Sequence, residues 1–231
     1  MGLLMPICNK FFKHIFSLIM IGLLSGCASI SNDNYDKRDP FEEVNRVVFK
    51  FNDGVDKAIL KPVSKSYEKF IPKFFRQGVS NFFGNLSDLV TTFQHLLQFN
   101  IDKSSSSASR FIINTTIGIL GVRDVASDWG IPKTNEDFGQ TFGSYGVGTG
   151  PYVVLPFFGP SNVRDGFGKV LDVLTDPFQI GVKNDTSRLV GNSLRVVQTR
   201  ASLLSAEQAF EALAFDRYVA MRSAYFAIRE A

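Results

Sequence analysis

The sequence FGQTFGSYGVGTGPYVVLPFFGPSNV, from Phe138 to Val163, is 26 residues long and contains no charged side chain. A run of this length resembles a membrane span, because about 20 mainly apolar residues cover the hydrocarbon core of a bilayer. However, it contains six glycines and three prolines, which loosen a helical backbone or remove amide donors. Irregular backbone at membrane depth persists only where protein or water satisfies its polar groups. We therefore predict an uncharged, aromatic, Gly/Pro-rich central loop that is supported by protein.

A series of short motifs lies in and around this run. Those of the run itself and its edges are Glu136–Gly143 (EDFGQTFG), Tyr145–Gly148 (YGVG), Gly150–Ser161 (GPYVVLPFFGPS) and Arg164–Gly166 (RDG). Those farther away are Asp39–Glu42 (DPFE), Asn45-Arg46, Phe51-Asn52, Arg110-Phe111, Asn114-Thr115, Tyr218 and Arg222–Phe226 (RSAYF). In amino-acid sequence and in order along the chain, these motifs resemble those of the MlaA/VacJ family of outer-membrane lipoproteins, which take part in retrograde phospholipid transport. The resemblance covers roughly Asp39 to Arg229.

The resemblance implies a fold, a function and partners. The fold would be a membrane-embedded ring of membrane-parallel amphipathic helices around a polar-lined channel. The function would be to remove mislocalised phospholipids from the outer leaflet of the outer membrane, which maintains its lipid asymmetry. The partners would be phospholipids, a trimeric porin and a soluble periplasmic lipid-carrier protein. The expected location is the periplasmic leaflet of the outer membrane.

The composition of the 231-residue chain fits a single domain of generous size. Lys10 and Lys13 in the N-terminal segment account for two of its positive charges, which leaves 23 basic against 22 acidic residues. This nearly equal number of basic and acidic residues does not indicate a nucleic-acid-binding protein. Phenylalanine is abundant, with 23 copies against one Trp and six Tyr, and we expect most of these rings to form an aromatic core.

The N-terminal segment has the layout of a secretory leader, with two lysines, an apolar run and then small residues. Leu24-Ser25-Gly26-Cys27 resembles a bacterial lipobox, in which the cysteine thiol receives a diacylglyceryl group and becomes the first mature residue. Two or more acyl chains anchor a protein without a transmembrane helix. We therefore predict three segments: a lipoprotein signal peptide at 1–26, an acylated N-terminus and tether at 27–38, and a helical domain at 39–231.

Two further residues refine the prediction for the anchor. Ala28 follows Cys27 where lipoproteins kept at the inner membrane usually carry Asp, so resemblance to the class indicates the outer membrane. Cys8 leaves with the leader, so Cys27 is the single mature cysteine and no disulfide can form within the mature chain.

The body of the chain shows helical periodicity and no convincing alternating strand, which predicts an all-α fold. From Phe41 to Ile59, apolar residues recur on one helix face and charged residues on the other. Further helices are predicted over 74–83 with Pro72 at its start, 86–97, 111–122, 164–175, 188–205 and 206 to the end. Ser104–Ser107 is predicted to be a helix entry that supplies hydroxyl caps. Without the family resemblance, the default is that every apolar face packs on a shared core.

Two sets of residues are candidates for a lipid path. Asn114 and Thr115 interrupt an uncharged helix and could face a polar lumen, although they could equally form hydrogen bonds inside an ordinary bundle. In the central run, Tyr145, Tyr152, Leu155, Phe157 and Phe158 could border the path of a lipid, although such side chains could also simply fill a core.

The sequence offers no constellation for catalysis or metal binding, and no cofactor is predicted. His95 is the single histidine of the predicted mature chain, and it lies opposite an apolar helix face, which is typical of a solvated surface histidine. The chain has no G-x-S-x-G motif for a lipase, and one His with one acylated Cys cannot form a typical zinc site. We therefore predict a non-enzymatic transport lipoprotein. The alternatives are a structural lipoprotein that braces the envelope and, less favoured, a lipid-hydrolysing enzyme.

Overall fold

Helices account for the regular secondary structure of the described residues, with the exception of one two-stranded hairpin. The structure is a computed structural model that describes residues 36–207 and 215–230. The predicted signal peptide, the predicted acylation site Cys27 and nearly all of the predicted tether lie outside these residues, as does part of the predicted C-terminal helix. The predicted all-α class is confirmed, and the hairpin is the addition to it.

The helices follow one another along the chain with short connections. They are α1 (Glu42–Val55), which continues through a π-helical turn (Asp56–Leu60) into α2 (Lys61–Phe70), then α3 (Lys73–Leu97), α4 (Ile101–Thr116), α5 (Val125–Asp128), α6 (Phe138–Ser144), α7 (Val163–Leu174), α8 (Pro177–Gly181), α9 (Asp185–Ser202) and α10 (Arg217–Glu230). Strands β1 (Tyr152–Leu155) and β2 (Gly159–Asn162) lie between α6 and α7. Side chains cap the starts of α4 to α9 by accepting backbone amides, and the capping residues are Asn100, Asp124, Asp137, Asn162, Asp176 and Asn184.

Several predicted helices differ in extent from the observed ones. Pro72 precedes α3 as predicted, but α3 runs for 25 residues and joins two predicted helices. Ser104–Ser107 lies inside α4 rather than at its entry, because the side chain of Asn100 already caps the helix. The helix predicted to reach residue 122 ends at Thr116, since the φ angles of residues 119, 120 and 121 are 55°, 55° and 84°. Such left-handed backbone cannot continue a right-handed helix.

The uncharged central run forms a helix and a hairpin, so the prediction that it is only a loop is wrong. Its first seven residues are α6, which begins at a capping box between Asp137 and Gln140. β1 and β2 then pair antiparallel, with Tyr152 opposite Asn162 and Leu155 opposite Gly159. At the turn between the strands, Gly159 has a φ of 74°, which glycine adopts without steric cost.

Two asparagines of α1 bind the backbone of the hairpin. Asn45 donates to the carbonyl of Tyr152 at 3.1 Å and accepts from the amide of Val154 at 2.8 Å. Asn52 repeats this arrangement at the tip, where it donates to the carbonyl of Leu155 at 3.0 Å and accepts from an amide at 2.8 Å. A strand edge presents unpaired amide and carbonyl groups, so each asparagine replaces part of a neighbouring strand.

A buried charged cluster, which we call the Asp39 cluster, fastens this region to α10. Asp39 is fully buried, and its carboxylate accepts from Asn45 at 2.7 Å, from the hydroxyl of Tyr218 at 2.5 Å and from Arg222 at 2.6 Å. Arg222 also donates to Glu42 at 2.9 Å. Because each buried charge has an opposite charge and further hydrogen bonds, the main condition for burying ions without a large cost is met.

A second buried pair joins α7 to α10 beside the Asp39 cluster. The carboxylate of Asp165 accepts from the hydroxyl of Tyr225 at 2.6 Å and lies 3.0 Å from the guanidinium of Arg229. Asn162 donates to the same hydroxyl at 2.9 Å and caps α7. Burial raises the pKa of Asp165, but the hydrogen bonds from Tyr225 and Arg164 lower it by a larger amount. The pKa of Asp165 is therefore below its usual range.

The interior of the described residues is polar, which contradicts the expected aromatic core. Nine apolar side chains are buried against 18 polar or charged ones. Phe83 is the only buried phenylalanine within the described part of the chain. Many large apolar side chains of the helices are exposed instead, among them Val47, Phe51, Phe74, Phe75, Phe93, Ile112, Phe167 and Val170.

The amphipathic helices therefore turn their polar faces inward. α1 buries only Asn45, and α3 buries five polar side chains together with Phe83. The buried side chains of α4 are all polar, and α7 buries an aspartate and a glycine. The default expectation that the apolar faces pack on a shared core is wrong for these four helices. None of the described helices combines the length and the apolarity that crossing a membrane requires.

Candidate functional site

A polar cavity of about 200 Å³ lies between α3 and α9, and we call it the hydroxyl cavity. Its polar lining consists of Ser80, Ser87, Asn135, Arg195, Gln198, Thr199 and Ser202. The lining positions of α9 are spaced by three or four residues, which places them on one helix face. Gln198 is buried, and its Oε1 has no hydrogen-bond partner among the described residues.

A second cavity of about 320 Å³ adjoins the first, because Ser87 and Arg195 line both. We call it the acidic cavity, since four carboxylates line it: Glu136, Asp137, Asp172 and Asp176. Its walls come from α3, the segment before α6, the end of α7, the start of α8 and the middle of α9. The two cavities therefore share a wall beside α3, and we refer to them together as the polar region.

The carboxylates of the acidic cavity differ in their partners. Arg195 donates to Asp176, and Arg229 donates to Asp137 at 2.6 Å. Glu136 accepts from the side-chain amide of Gln98 at 3.0 Å, and Asp172 accepts from a backbone amide at 3.1 Å. Neither Glu136 nor Asp172 forms an ion pair with any residue in the described part of the chain. Two of the four carboxylates thus have no cation in direct contact, and for Asp172 the nearby charges of Arg229 and Lys169 act without an ion pair.

Asp172 has the most perturbed carboxyl group of this cavity. Burial raises its pKa to about 6, and the neighbouring Asp137 raises it too, while the amide of Phe138 lowers it. Burial also lowers the pKa of the nearby Lys169, whose ammonium group donates to the carbonyl of Pro160 at 3.0 Å. Perturbed carboxyl groups in clefts are typical of functional sites.

Two apolar clefts flank the polar region. One has a volume of about 470 Å³ and shares Val90 and Pro177 with the acidic cavity, and its other apolar residues are Leu89, Phe93, Leu97, Phe138 and Ile180. The other has a volume of about 440 Å³ and shares Phe83 with the hydroxyl cavity, and its other apolar residues are Phe74, Phe75, Val79, Phe82, Val122, Phe178 and Leu194. We call them the Phe138 cleft and the Phe178 cleft. Each polar cavity therefore meets an apolar groove.

The short helix α8 contributes to both clefts. Its Phe178 ring packs edge-on against Phe83 with 5.4 Å between ring centroids. On the other side, Gly191 of α9 provides the space for that ring, because a Cβ at position 191 would lie 2.1 Å from a ring carbon of Phe178. Asp176 caps α8 by accepting from the amide of Phe178 at 2.8 Å.

The predicted lumen residues of α4 lie in a separate network. Asn114 is buried, donates to Asp124 at 2.9 Å and accepts from the amide of Ala126 at 2.9 Å. Thr115 accepts from the side chain of Asn85 at 2.8 Å. These bonds correspond to the second of the two interpretations offered by the sequence, hydrogen bonding within the bundle. A role of these residues in lining a lipid path stays a prediction.

The centre of this network, which we call the Arg110 network, is a buried arginine of α4. Arg110 is fully buried and donates to both oxygens of Asp124 at 2.9 Å, while Asp88 lies 3.3 Å away. Burial raises the pKa of Asp124, but hydrogen bonds from Ser127, Asn114 and Arg110 outweigh it and lower the pKa to about 2. Burial keeps the pKa of Asp88 above its usual value despite Lys133 and Arg110.

The predicted path residues of the central run divide into two groups. Tyr152 is fully buried between the hairpin and α10, and its side chain contacts the rings of Tyr218 and Tyr225. Phe157 and Phe158 are exposed at the hairpin tip, beside the half-buried Leu155. Tyr145 is exposed near the end of α6 and donates to the carbonyl of Leu97.

None of the seven predicted path residues lines the two polar cavities or the two apolar clefts described above. The residues that do so on α9 were not singled out from the sequence. A signal for them existed, because the polar residues at 195, 198, 199 and 202 recur at helical spacing opposite the exposed Leu189 and Val196.

The prediction that His95 lies at the surface is wrong. His95 is fully buried, its Nε2 lies 3.0 Å from the hydroxyl of Thr134, and its Nδ1 has no partner among the described residues. Burial lowers the pKa of the imidazole. The prediction failed because it assumed that the apolar face of α3 points inward, whereas the polar face does.

Comparison with known proteins relates this geometry to a family. A family model described as MlaA lipoprotein matches residues 37–231. The intermembrane phospholipid transport system lipoprotein MlaA of Escherichia coli (strain K12) is 37% identical over 216 residues, which cover 88% of this chain and 82% of that protein. The protein of the same name from Haemophilus influenzae is 32% identical over 222 residues, covering 93% and 88%. An uncharacterized protein of Rickettsia conorii is 36% identical over 204 residues, covering 87% and 81%.

A solved structure matches as well. It comes from a study of the structural basis for maintenance of bacterial outer membrane lipid asymmetry. The two chains superpose with a TM-score of 0.72 at 33% sequence identity. The match includes 83% of this chain and 97% of the other. The family resemblance inferred from the sequence motifs is thereby confirmed. With a family model that matches nearly the whole described region, and relatives that align over most of their own length, the chain belongs to the MlaA lipoprotein family.

Proposed function

We propose that this protein is an intermembrane phospholipid transport lipoprotein of the outer membrane. It would remove mislocalised phospholipids from the outer leaflet and so maintain lipid asymmetry. The observation that carries this proposal is the inverted polarity of the helices, which bury polar residues and expose phenylalanine, valine and leucine. Relatives that bear the name of such a transport system support it.

The exposed apolar faces favour a position within one leaflet. Apolar surface left in water costs about 25 cal/mol per Å², so helices with wide exposed apolar faces are stabilised when acyl chains cover them. An amphipathic helix of this kind lies in the plane of the interface rather than across the bilayer. We propose that the helices form a ring parallel to the periplasmic leaflet, and that acyl chains on Cys27 add a covalent anchor.

The polar region and the apolar clefts match the two parts of a phospholipid. A charged headgroup cannot cross hydrocarbon without a large desolvation cost unless polar groups accompany it. The hydroxyl and acidic cavities would supply these groups, while the Phe138 and Phe178 clefts would receive acyl chains. The exposed tip formed by Leu155, Phe157 and Phe158 would contact acyl chains of the surrounding leaflet.

The partners of the system are also part of the proposal. By family resemblance, a trimeric porin would hold the protein at the outer membrane, and a soluble periplasmic carrier would receive the lipid. The exposed apolar surface is extensive enough for both lipid and protein contacts, since large apolar patches mark membrane or protein interaction sites.

The test is to obstruct the shared wall of the two polar cavities. Ser87→Phe places a ring where both cavities meet, and we expect it to leave the fold intact and to raise the amount of phospholipid in the outer leaflet of cells that depend on this protein. Ser193→Phe is the matched control, because Ser193 is exposed on α9 and lines neither cavity. A folded Ser87→Phe variant with normal lipid asymmetry would contradict the proposed path.

The same assay distinguishes the alternatives. An envelope-bracing lipoprotein without transport predicts that Ser87→Phe behaves like Ser193→Phe. A lipid-hydrolysing enzyme predicts that His95→Ala abolishes activity while the protein remains folded. We expect His95→Ala to retain transport in proportion to the folded protein that remains, because His95 is buried away from the two polar cavities.

A further inference from the structure

One buried acceptor in the polar region has no hydrogen-bond donor, and two carboxylates there accept one hydrogen bond each but have no ion-pair partner within the described part of the chain. Gln198 is more than nine-tenths buried, and its Oε1 accepts no hydrogen bond from the described residues. Glu136 and Asp172 line the acidic cavity without an ion pair within the described part of the chain. A buried acceptor without a donor is costly to leave unsatisfied. All three groups would be satisfied by the same kind of ligand, a cation that donates hydrogen bonds.

The one cation that lines both cavities is Arg195. The only hydrogen bond that its guanidinium donates among the described residues goes to Asp176. A guanidinium group has five donor hydrogens in a fork that matches the oxygens of phosphate. The hydroxyls of Ser80 and Thr199 lie in the same wall and can donate further hydrogen bonds. Arg195 is therefore placed to bind a phosphate beside Glu136 and Asp172.

We propose that the hydroxyl and acidic cavities form a headgroup site that prefers phospholipids with a primary ammonium group, the phosphatidylethanolamine class, to anionic phospholipids. Arg195 would bind the phosphate, and Glu136, Asp172 and Gln198 would accept hydrogen bonds from the ammonium group. This inference rests on the proposed function, because a headgroup enters the cavities only if the protein carries phospholipids through them.

The charge of the lining explains the preference. The acidic cavity presents four carboxylates and one guanidinium, so a lipid with a net negative charge is repelled, whereas a zwitterionic headgroup is not. Phosphatidylglycerol can donate hydrogen bonds from its hydroxyls but brings no positive charge. Phosphatidylcholine brings the charge but has no N–H donor for Gln198. The three lipid classes therefore separate the contribution of charge from that of hydrogen bonding.

The test is a competition among these lipids. Full-length acylated protein in detergent is incubated with mixed micelles of phosphatidylethanolamine, phosphatidylcholine and phosphatidylglycerol in equal amounts. The lipids that remain bound after gel filtration are quantified by mass spectrometry. We expect phosphatidylethanolamine to exceed phosphatidylglycerol about tenfold, which corresponds to ~1.4 kcal/mol, with phosphatidylcholine between them.

The variants Asp172→Asn and Glu136→Gln remove one negative charge each and keep one of the two acceptor oxygens of the side chain. Both should reduce the enrichment over phosphatidylglycerol severalfold. Asp128→Asn is the matched control, because it removes a charge from an exposed aspartate of α5 that lines neither cavity, and its enrichment should equal that of the unmodified protein.

The outcomes separate the two proposals. Equal retention of the three lipids by the unmodified protein, or a preference for phosphatidylglycerol, overturns the headgroup preference and leaves the transport function standing. An enrichment that neither Asp172→Asn nor Glu136→Gln reduces also overturns it, because the preference then arises elsewhere. Retention of no phospholipid at all contradicts the proposed function and the headgroup preference together.

Discussion

The Asp39 cluster and the acidic cavity are both rich in charged side chains, but their carboxylates differ in how they are paired. In the Asp39 cluster the carboxylate is fully buried and has three hydrogen-bond donors, one of which is the guanidinium of Arg222. In the acidic cavity, Glu136 and Asp172 line open volume without an ion pair among the described residues. The first arrangement resembles a completed structural core, and the second resembles a binding site.

The difference teaches how a protein without an apolar core can be stable and still offer a path. Satisfied polar networks fasten the hairpin to α1 and α10, and the Arg110 network fastens α4 to α5. In the polar region, Gln198 has an acceptor without a donor, and Glu136 and Asp172 have no ion-pair partner among the described residues, so a moving headgroup could bind to each of them in turn. Stability should thus be sensitive to the first set of residues and transport to the second.

Breaking the Asp39 cluster should have the largest effect. Arg222→Leu leaves the carboxylate of Asp39 buried without its cation, and we expect a loss of roughly 3–5 kcal/mol in the free energy of unfolding. Chemical unfolding of the detergent-solubilised protein measures this loss. Arg123→Leu is the control, since it breaks an exposed pair with Asp128 and should cost less than about 1 kcal/mol. Equal losses for both variants would show that the buried cluster is not a structural core.

The Arg110 network should make stability depend on pH in acid. The pKa of Asp124 is lowered from 3.8 to about 2 in the folded protein. A carboxyl group with a lowered pKa stabilises the fold fully at any pH above its pKa in the unfolded chain. This contribution to the free energy of unfolding, ~2 kcal/mol, is lost as the pH falls from about 4 to 2. Unfolding midpoints of the unmodified protein and of Asp124→Asn, measured between pH 2 and 7, should converge in this window. A difference that stays constant with pH would refute this assignment.

Changing the contact between α8 and α9 should affect transport more than stability. Gly191→Ala forces the ring of Phe178 to move, because the added methyl group would overlap it. A flexible ring can shift at a cost of ~1 kcal/mol or less, but it then occupies the Phe178 cleft, so we expect lipid passage to fall severalfold. Gly54→Ala is the control, since a methyl group there meets no atom within 4 Å. Normal transport by Gly191→Ala would exclude the Phe178 cleft from the path.

Local signals in the sequence predicted much of the helical fold. Pro72 before α3 and the periodicity of α1 placed helices close to their observed bounds, and the helix predicted over 164–175 differs by one residue at each end from α7. The hairpin was missed because β2 has the sequence GPSN, which contains no residue typical of strands. Its partner strand is completed by Asn45, which is 107 residues away from Tyr152 in sequence, and no local pattern contains such a contact.

The direction in which the helices face could not be obtained from periodicity. An amphipathic pattern fixes which residues share a face, but the solvent decides which face points inward. His95 and the phenylalanines of α3 were therefore assigned to the wrong sides. The polar residues of α9 carried the complementary signal, because Arg195, Gln198 and Thr199 share one face of a helix whose other side is apolar and exposed.

The most direct test of the account asks whether a phospholipid enters the polar region beside α3. A photoreactive amino acid is placed at position 87, where both polar cavities meet, and the protein is illuminated in cells. We predict a covalent adduct with the mass of a phospholipid on the peptide that contains this position, and no adduct when the same group replaces the exposed, charged Asp128 of α5. Absence of a phospholipid adduct at position 87 in a folded, correctly located protein would contradict the account.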